Sequence, residues 1–382
     1  VNKMILHFIT KKIAILVGMT IFLLCTMFTT GQVFAAGMGG FSDSDTTESD
    51  VSNWMRDVVD TQTLSQLSIP GTHDSMSLYG NSIFDASVVK TQSMPLNTQL
   101  KAGIRYLDIR VKRTGSSFDI YHGSVYQKAS FDDALSTVTT FLKNHPSETI
   151  LMRVKEETDA ASGSQSFETI FQNYWNKYSA YLVKPTSNNP KLGDVRGKIV
   201  ILQDFSATQN FGIPYYSLNI QDNFTDMGEA KANAIEQHLL QANKDTSHMY
   251  LNHFSANGVK DAGTYLTQDN KTPKAIAKDI NTGFWAYLQL PANYNAKHPE
   301  YIEHTGIIAM DFPSSGKTST PHISDYPVLK DIGINDIIIS KNEFVPGTSM
   351  SELRLAIYTF MFGKRYVGDL TLLNASSKLT SE

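Results

Sequence analysis

The sequence is expected to fold as an α/β protein, a distorted TIM (β/α) barrel in one domain, and three observations lead there. About eight short apolar segments, rich in β-branched residues, punctuate the chain at intervals suited to sheet strands. Several are separated by stretches whose apolar residues recur at helical spacing, which implies a mostly parallel sheet. Acidic, basic and imidazole side chains gather just after the segments, where loops from separate barrel strands converge. Some connections lack an obvious helix, so a distorted barrel is expected rather than a regular one.

Taken in order, Lys3, Lys11 and Lys12 precede the apolar run from Ile13 to Phe28, and Val33-Phe34-Ala35 offers a cleavage point. Residues 1–35 are therefore expected to be a signal peptide and the protein to be secreted. A retained membrane anchor is the alternative, although the run is short for a spanning helix of about 20 residues. Cys25, the only cysteine, lies inside it behind Leu23 and Leu24, a context that disfavours lipid attachment. A cleaved chain would have no cysteine, and its fold would rest on core burial rather than disulfides. Residues 36–50 are small, polar and acidic and read as a flexible leader.

The barrel is expected over residues 51–344. Leu67 and Ile69 share one face of an opening strand that Pro70-Gly71 should end. Further strands are expected at Ile104–Arg110, Phe118–Tyr121, Thr149–Val154, Lys198–Leu202, His248–Leu251, Thr305–Met310 and Asp336–Ile339. Helices are expected at Phe131–Asn144, Ala230–Asn243 and Pro273–Leu290. Residues 345–382, with Leu353, Leu355, Ala356, Ile357, Phe360 and Met361, suggest one amphipathic helix packed on the barrel or resting on a surface.

The net charge is −4, with Lys and Arg spread along the chain, which argues against a long polyanion such as DNA as partner. Any phosphate would be held locally. At the expected strand ends stand His73 and Asp74, Asp108 and Arg110, His122, Lys155, Asp204, His253 and Asp311. A histidine exchanges protons near neutral pH, and Asp108 and Arg110 share a strand face. Each has a structural alternative: an ion pair for Asp108 and Arg110, a solvated strand end for Lys155-Glu156-Glu157, a core position for His253. Their joint occurrence points to a site.

Several motifs resemble the bacterial phosphatidylinositol-specific phospholipases C of the metal-independent type. They are Leu67-Ser68-Ile69-Pro70-Gly71-Thr72-His73-Asp74-Ser75, Gly103-Ile104-Arg105-Tyr106-Leu107-Asp108-Ile109-Arg110, Tyr121-His122-Gly123, and Phe141 through Ile150. Lys191 through Val200 and Gly306-Ile307-Ile308-Ala309-Met310-Asp311 follow in the family's order. The resemblance implies the distorted barrel again. It also implies attack of the inositol 2-hydroxyl on its own phosphodiester, giving a cyclic inositol phosphate and diacylglycerol, and extends to glycosylphosphatidylinositol anchors.

By that resemblance His73 is the general base oriented by Asp311, His122 the general acid partnered by Asp74, and Arg110 the phosphate contact, with Asp108 in support. Lys155 and Asp222 match headgroup-binding positions, and Phe224 stands where the family has a tyrosine that stacks on the sugar. Asp204 departs from the pattern, which has an arginine there. The resemblance implies neither metal nor cofactor, because a guanidinium takes the place of the metal of calcium-dependent relatives. Asp74, Asp108 and Asp204 would have to converge to bind calcium instead. Phosphatidylinositol in membranes is the expected partner, met peripherally by a monomer. Phe211, Ile213, Tyr215, Tyr216 and Leu218 are either an apolar membrane rim or core. The alternatives are a calcium-dependent or differently specific phosphodiesterase of the same fold and a non-catalytic inositol-lipid binding protein.

Overall fold

A computed structural model describes residues 39–47, 49–80, 88–257, 272–290, 300–316 and 332–362. The expected export signal, with Cys25, lies outside them, as do residues 363–382. In chain order the elements are β1 (Ile69–Thr72), α1 (Leu96–Lys101), β2 (Tyr106–Thr114), β3 (Ser117–His122), β4 (Val125–Ser130), α2 (Phe131–Asn144), β5 (Ile150–Glu156) and α3 (Phe167–Lys177). There follow β6 (Leu182–Val183), α4 (Leu192–Val195), β7 (Ile199–Asp204), β8 (Ile213–Pro214), β9 (Asn219–Gln221), α5 (Gly228–Lys244) and β10 (Tyr250–His253). The described chain closes with α6 (Pro273–Tyr287), β11 (Ile307–Met310), α7 (Ile334–Ser340) and α8 (Ser349–Phe362).

Strands β6, β7, β5, β2, β1, β11, β10 and β9 lie side by side in that order, every neighbour parallel. Strand β8 adds to β7, and no ladder joins β8 to β9 among the described residues. The result is the distorted barrel expected, in one domain.

Three expectations are corrected. Pro70-Gly71 lies within β1 instead of ending it. The Pro70 carbonyl accepts from Arg105 N at 2.9 Å, and a side chain at Gly71 would collide with Cβ of Tyr106 at 2.7 Å. Phe118–Tyr121 is no barrel stave but part of β3, which pairs antiparallel with β2 and β4. Asp336–Ile339 is helical, in α7; a short apolar run has no period that separates a buried helix from a buried strand. Its start is fixed by the Asp336 carboxylate, which accepts from Gly333 N at 2.8 Å.

The helices shield the outer sheet face. At the head of α2, Ser130 and Asp133 form a capping box, with Asp133 N donating to Ser130 Oγ at 3.2 Å and Ser130 N to Asp133 Oδ2 at 2.8 Å. Its apolar stripe, including Phe131, Leu135 and Val138, packs with Ile109, Val111, Phe118 and Ile120. Helix α8 packs on the barrel: Leu353 and Ile357 are buried, and Asp57 Oδ2 accepts from Met350 N at 3.2 Å. The side chains of Ala356, Phe360 and Met361 lie outside the described residues. Within the stretch read as a leader, Phe41 bridges to Pro313, and Ser42 N donates to the Phe312 carbonyl at 3.0 Å.

Strand register sorts the inward side chains into layers. Tyr106, Leu151 and Val200 form one row across β2, β5 and β7. One step toward the strand C-termini, Asp108 stands beside Arg153, and a further step puts Arg110, Lys155 and Asp204 abreast. The barrel therefore turns from apolar to charged within a single layer.

The opposite end is closed by a buried ion pair. Arg105 Nη2 lies 2.8 Å from Glu148 Oε2, both side chains wholly buried, while its Nη1 donates to the carbonyls of Leu100 and Ile104 at 2.8 Å each. Glu148 also accepts from Met55 N at 3.3 Å, which joins the segment before β1 to the barrel. Arg105→Met strands the carboxylate and four carbonyls, of Val51, Ser52, Leu100 and Ile104, so it is expected to cost about 3–5 kcal/mol in urea unfolding. A loss under about 1 kcal/mol would show that the pair is peripheral to stability.

Candidate active site

Two different strands occupy one edge of β2. Strand β1 pairs with Tyr106 and Leu107 and then stops, while β3 pairs from Val111 outward and runs in the opposite direction. The stretch Asp108–Arg110 between them faces the point where the two meet. His73 and Asp74 leave the end of β1, and His122 is the last residue of β3, so the imidazoles approach along the same line from opposite sides.

The turn after β1 is tightly specified. Asp74 is held at a φ of 42°, in the left-handed region that non-glycine residues seldom occupy. Its carbonyl accepts from Thr91 Oγ1 at 3.0 Å, and its N–H donates to Asp108 Oδ2 at 3.3 Å. Ser75 N donates to the Asp108 carbonyl at 2.9 Å, and Asp108 N donates back to Ser75 Oγ at 2.8 Å. Gln92 Nε2 bridges the carbonyls of His73 and Met310, at 2.8 and 2.9 Å. Strain of roughly 1–3 kcal/mol at such a residue persists only where its surroundings over-determine it.

Arg110 is the hub. Its Nε lies 2.7 Å from Asp74 Oδ1, its Nη2 3.1 Å from Asp108 Oδ2, and its Nη1 3.3 Å from Glu157 Oε2. The same Nη2 lies 2.8 Å from His73 Nε2, and the other ring nitrogen, Nδ1, is 2.8 Å from Asp311 Oδ1. A guanidinium has only donors, so Nε2 is the acceptor and the proton resides on Nδ1, donated to Asp311. His122 Nδ1 is 3.0 Å from Ser77 Oγ and 3.4 Å from Asp74 Oδ2. Asp74 thus lies between both imidazoles, 3.7 Å from His73 Nε2.

Burial and charge set the protonation. Burial, with the Arg110 charge beside it, holds His73 well below the ordinary imidazole value, so the ring is neutral at neutral pH. Burial, with the Asp74 charge, pushes Asp311 well above the usual carboxylate range. Burial also raises Asp74, to about 6, against the pull of Arg110 and His122. For Asp108, burial is outweighed by Arg110 and Arg153, which hold it well below the carboxylate range.

All the strand-end residues named from the sequence lie at this end of the barrel. Lys155 Nζ is 3.4 Å from Glu157 Oε2. Asp222 and Phe224 are exposed on the loop after β9, where Phe224 N donates to the Asp222 carbonyl at 2.9 Å. Asp204 is bound to Arg153, whose Nη2 lies 2.7 Å away. Asp74, Asp108 and Asp204 do not converge on a shared cation position, since Arg110 and Arg153 stand between them. His253 is buried, its Nε2 3.1 Å from the Tyr215 hydroxyl and its ring edge-on to His73. Of the aromatic segment, Phe211, Ile213, Tyr215 and Leu218 are core, and Tyr216 alone is exposed, at 77%.

Four neighbours were not evident from the sequence. Ser77 follows His73 by four residues in the same loop, but a serine there carries no chemical signature. Glu157 reads as one of a run of charged residues, yet its side chain is 8% exposed and accepts from Gly123 N at 3.0 Å. Arg153 is hidden in the middle of a strand between Met152 and Val154. Its alternation with Leu151 and Lys155 was the available signal. Tyr215 sits in a segment whose side was undecided.

Two imidazoles and a guanidinium gathered at the C-terminal end of a parallel barrel are the groups that proton transfer beside an anion requires. Residues 67–204 match the family description "Phosphatidylinositol-specific phospholipase C, X domain". A 1-phosphatidylinositol phosphodiesterase of Listeria monocytogenes is 37% identical over 277 residues, covering 68% of this chain and 80% of the relative. A Staphylococcus aureus protein of the same name is 28% identical, covering 62% and 86%. The solved phosphatidylinositol-specific phospholipase C from Listeria monocytogenes superposes with a TM-score of 0.58 at 32% identity, covering 77% of this chain and 100% of that one. A mutant of the Staphylococcus aureus enzyme gives 0.62 at 26% identity, covering 78% and 100%. The chain belongs to the bacterial phosphatidylinositol-specific phospholipase C family.

Replacing the Arg110 guanidinium by an amide, in Arg110→Gln, is expected to raise the His73 pKa by about one unit or more. Imidazole titration by NMR measures this; an unchanged or lowered value would contradict the contact between Nη2 and Nε2.

Proposed function

We propose that the protein cleaves phosphatidylinositol by internal attack of the inositol 2-hydroxyl, releasing diacylglycerol and a cyclic inositol phosphate. The observation that carries this reading is the placement of Arg110 between the basic nitrogen of His73 and three carboxylates. Arg110 Nη2 covers the His73 lone pair. A phosphodiester competes for the guanidinium through its anionic oxygens, and as Arg110 turns to it Nε2 becomes free to take the 2-hydroxyl proton. The imidazolium then formed keeps its Nδ1 proton on Asp311, which stabilises the charge and fixes the ring.

Attack by a neighbouring hydroxyl closes a five-membered ring with much of the orientational cost already met. His122 protonates the departing diacylglycerol oxygen. Its Nδ1 is engaged by Ser77 and lies close to Asp74, which leaves Nε2 for the leaving group. Lys155, Asp222, Phe224 and Asp204 are assigned to the sugar. The phosphate is neutralised by Arg110 without a metal, and the enzyme meets its lipid as a peripheral, secreted protein.

His73→Ala and His122→Ala are each expected to lower kcat by at least ~10²-fold. Near-normal turnover in either would remove that residue from the mechanism. Incubating the protein with phosphatidylinositol vesicles, with and without excess chelator, tests the rest. ³¹P NMR is expected to show a cyclic phosphate at the same rate in both. Abolition by chelator would support a calcium-dependent enzyme, and lipid binding without any soluble phosphate would support a binding protein. One imidazole must be neutral and the other charged, so kcat/KM is expected to fall on both sides of a pH maximum; a profile flat from pH 5 to 9 would contradict the two-histidine scheme.

A further inference from the structure

Arg153 is buried beneath the mouth of the barrel. In the strand register it stands beside Asp108, and its Nη1 lies 3.4 Å from both oxygens of that carboxylate. Its Nε and Nη2 donate to Asp204 Oδ2 at 3.0 and 2.7 Å. Its guanidinium lies 4.1 Å from the centre of the Tyr215 ring, which presses it against this pair of carboxylates. Every nitrogen is thereby engaged within the protein, and the side chain is only 5% exposed. It is not placed to touch a headgroup.

Asp108 is the link to the reacting centre. Its Oδ2 accepts from Arg110 Nη2 and Nε at 3.1 and 3.3 Å and from Arg153 Nη1 at 3.4 Å. A carboxylate shared between two cations holds each less tightly than it would hold one.

We propose that Arg153 is a positioning residue: by taking up part of Asp108 and tethering Asp204, it leaves Arg110 able to turn from its resting contacts to the phosphate. This rests on the catalytic reading above, in which Arg110 moves from His73 to the substrate. Without Arg153, Asp108 closes on Arg110 alone and Asp204 loses its cation. With Asp204 neutralised, Arg153 is drawn onto Asp108 and relaxes its hold on Arg110. The two changes act in opposite directions.

The sign can be read at His73. It is faced by Asp74 from the loop after β1, Asp108 and Arg110 from β2, His122 from β3, His253 from β10 and Asp311 after β11. Among these Asp108 favours the protonated ring and Arg110 opposes it. Arg153→Gln strengthens the effect of Asp108 and draws Arg110 away, so the His73 pKa and the acidic limb of the rate profile are expected to rise by about 0.5 unit or more. Asp204→Asn is expected to move both downward.

The test combines imidazole NMR titration of the full chain with kcat and KM on phosphatidylinositol vesicles. Arg153→Gln is expected to lower kcat about 10-fold with a smaller change in KM, a barrier increase of about 1.4 kcal/mol, and Arg153→Lys to recover part of it. Opposite titration shifts in Arg153→Gln and Asp204→Asn support the proposal. Shifts of the same sign, no shift, or a change in KM alone overturn it. If Arg153→Gln does not fold, Asp204→Asn and Arg153→Lys decide by the same criterion: a fall in the first and a rise in the second support it, and any other pair overturns it. Failure of the catalytic reading is separate, because it appears as an inactive wild type while the NMR titration still reports on Arg153.

Discussion

A single guanidinium in a confined space sets the terms for the rest of this structure. Arg110 is largely buried, and a buried cation is tolerable only with close counter-charges, which Asp74, Asp108 and Glu157 provide. Those carboxylates are themselves costly to bury, and each needs partners of its own. Asp108 finds Arg153, Glu157 finds Lys155 and Gly123 N, and Asp74 finds His122. The charged layer follows from satisfying one cation, and the neutral His73 follows from burial beside it.

The sheet makes such a cluster possible. A regular barrel strand is paired along both edges for its whole length, whereas β2 gives the lower half of one edge to β1 and the upper half to β3. The interruption opens a space beside Asp108–Arg110 without breaking the hydrogen-bonded wall formed with β5. It also lets an antiparallel strand deliver His122 to the C-terminal ends of parallel ones. The left-handed Asp74 completes the junction, held by Thr91 and Asp108 in a conformation that it would rarely adopt otherwise.

Below this layer the barrel is apolar, and its far end is closed by the buried pair Arg105 and Glu148. Neither Arg105 nor Glu148 faces the site, although both lie in motifs that carry the family resemblance. Sequence identity alone does not separate residues kept for closing the barrel from residues kept for chemistry. Position along the strand does, because the two groups occupy opposite ends of the same sheet.

What the sequence determined by itself was the order of local patterns: alternation of strand and helix, and polar residues at strand ends. His73, Asp74, Arg110, His122 and Asp311 were legible because each follows or ends an apolar run, and Asp108 because it shares a strand face with Arg110, relations fixed by a few adjacent residues. The tertiary structure decided whatever depended on pairing across the chain. It decided that Phe118–Tyr121 turns back on β2, that Asp336–Ile339 is a helix, and that Pro70 can sit inside a strand. It also decided that Glu157 and Arg153 belong to the site and that most of the aromatic segment is core. Burial and charge compensation are properties of neighbours in space, and those neighbours, such as residues 153 and 108, are set by strand register rather than by closeness in the chain.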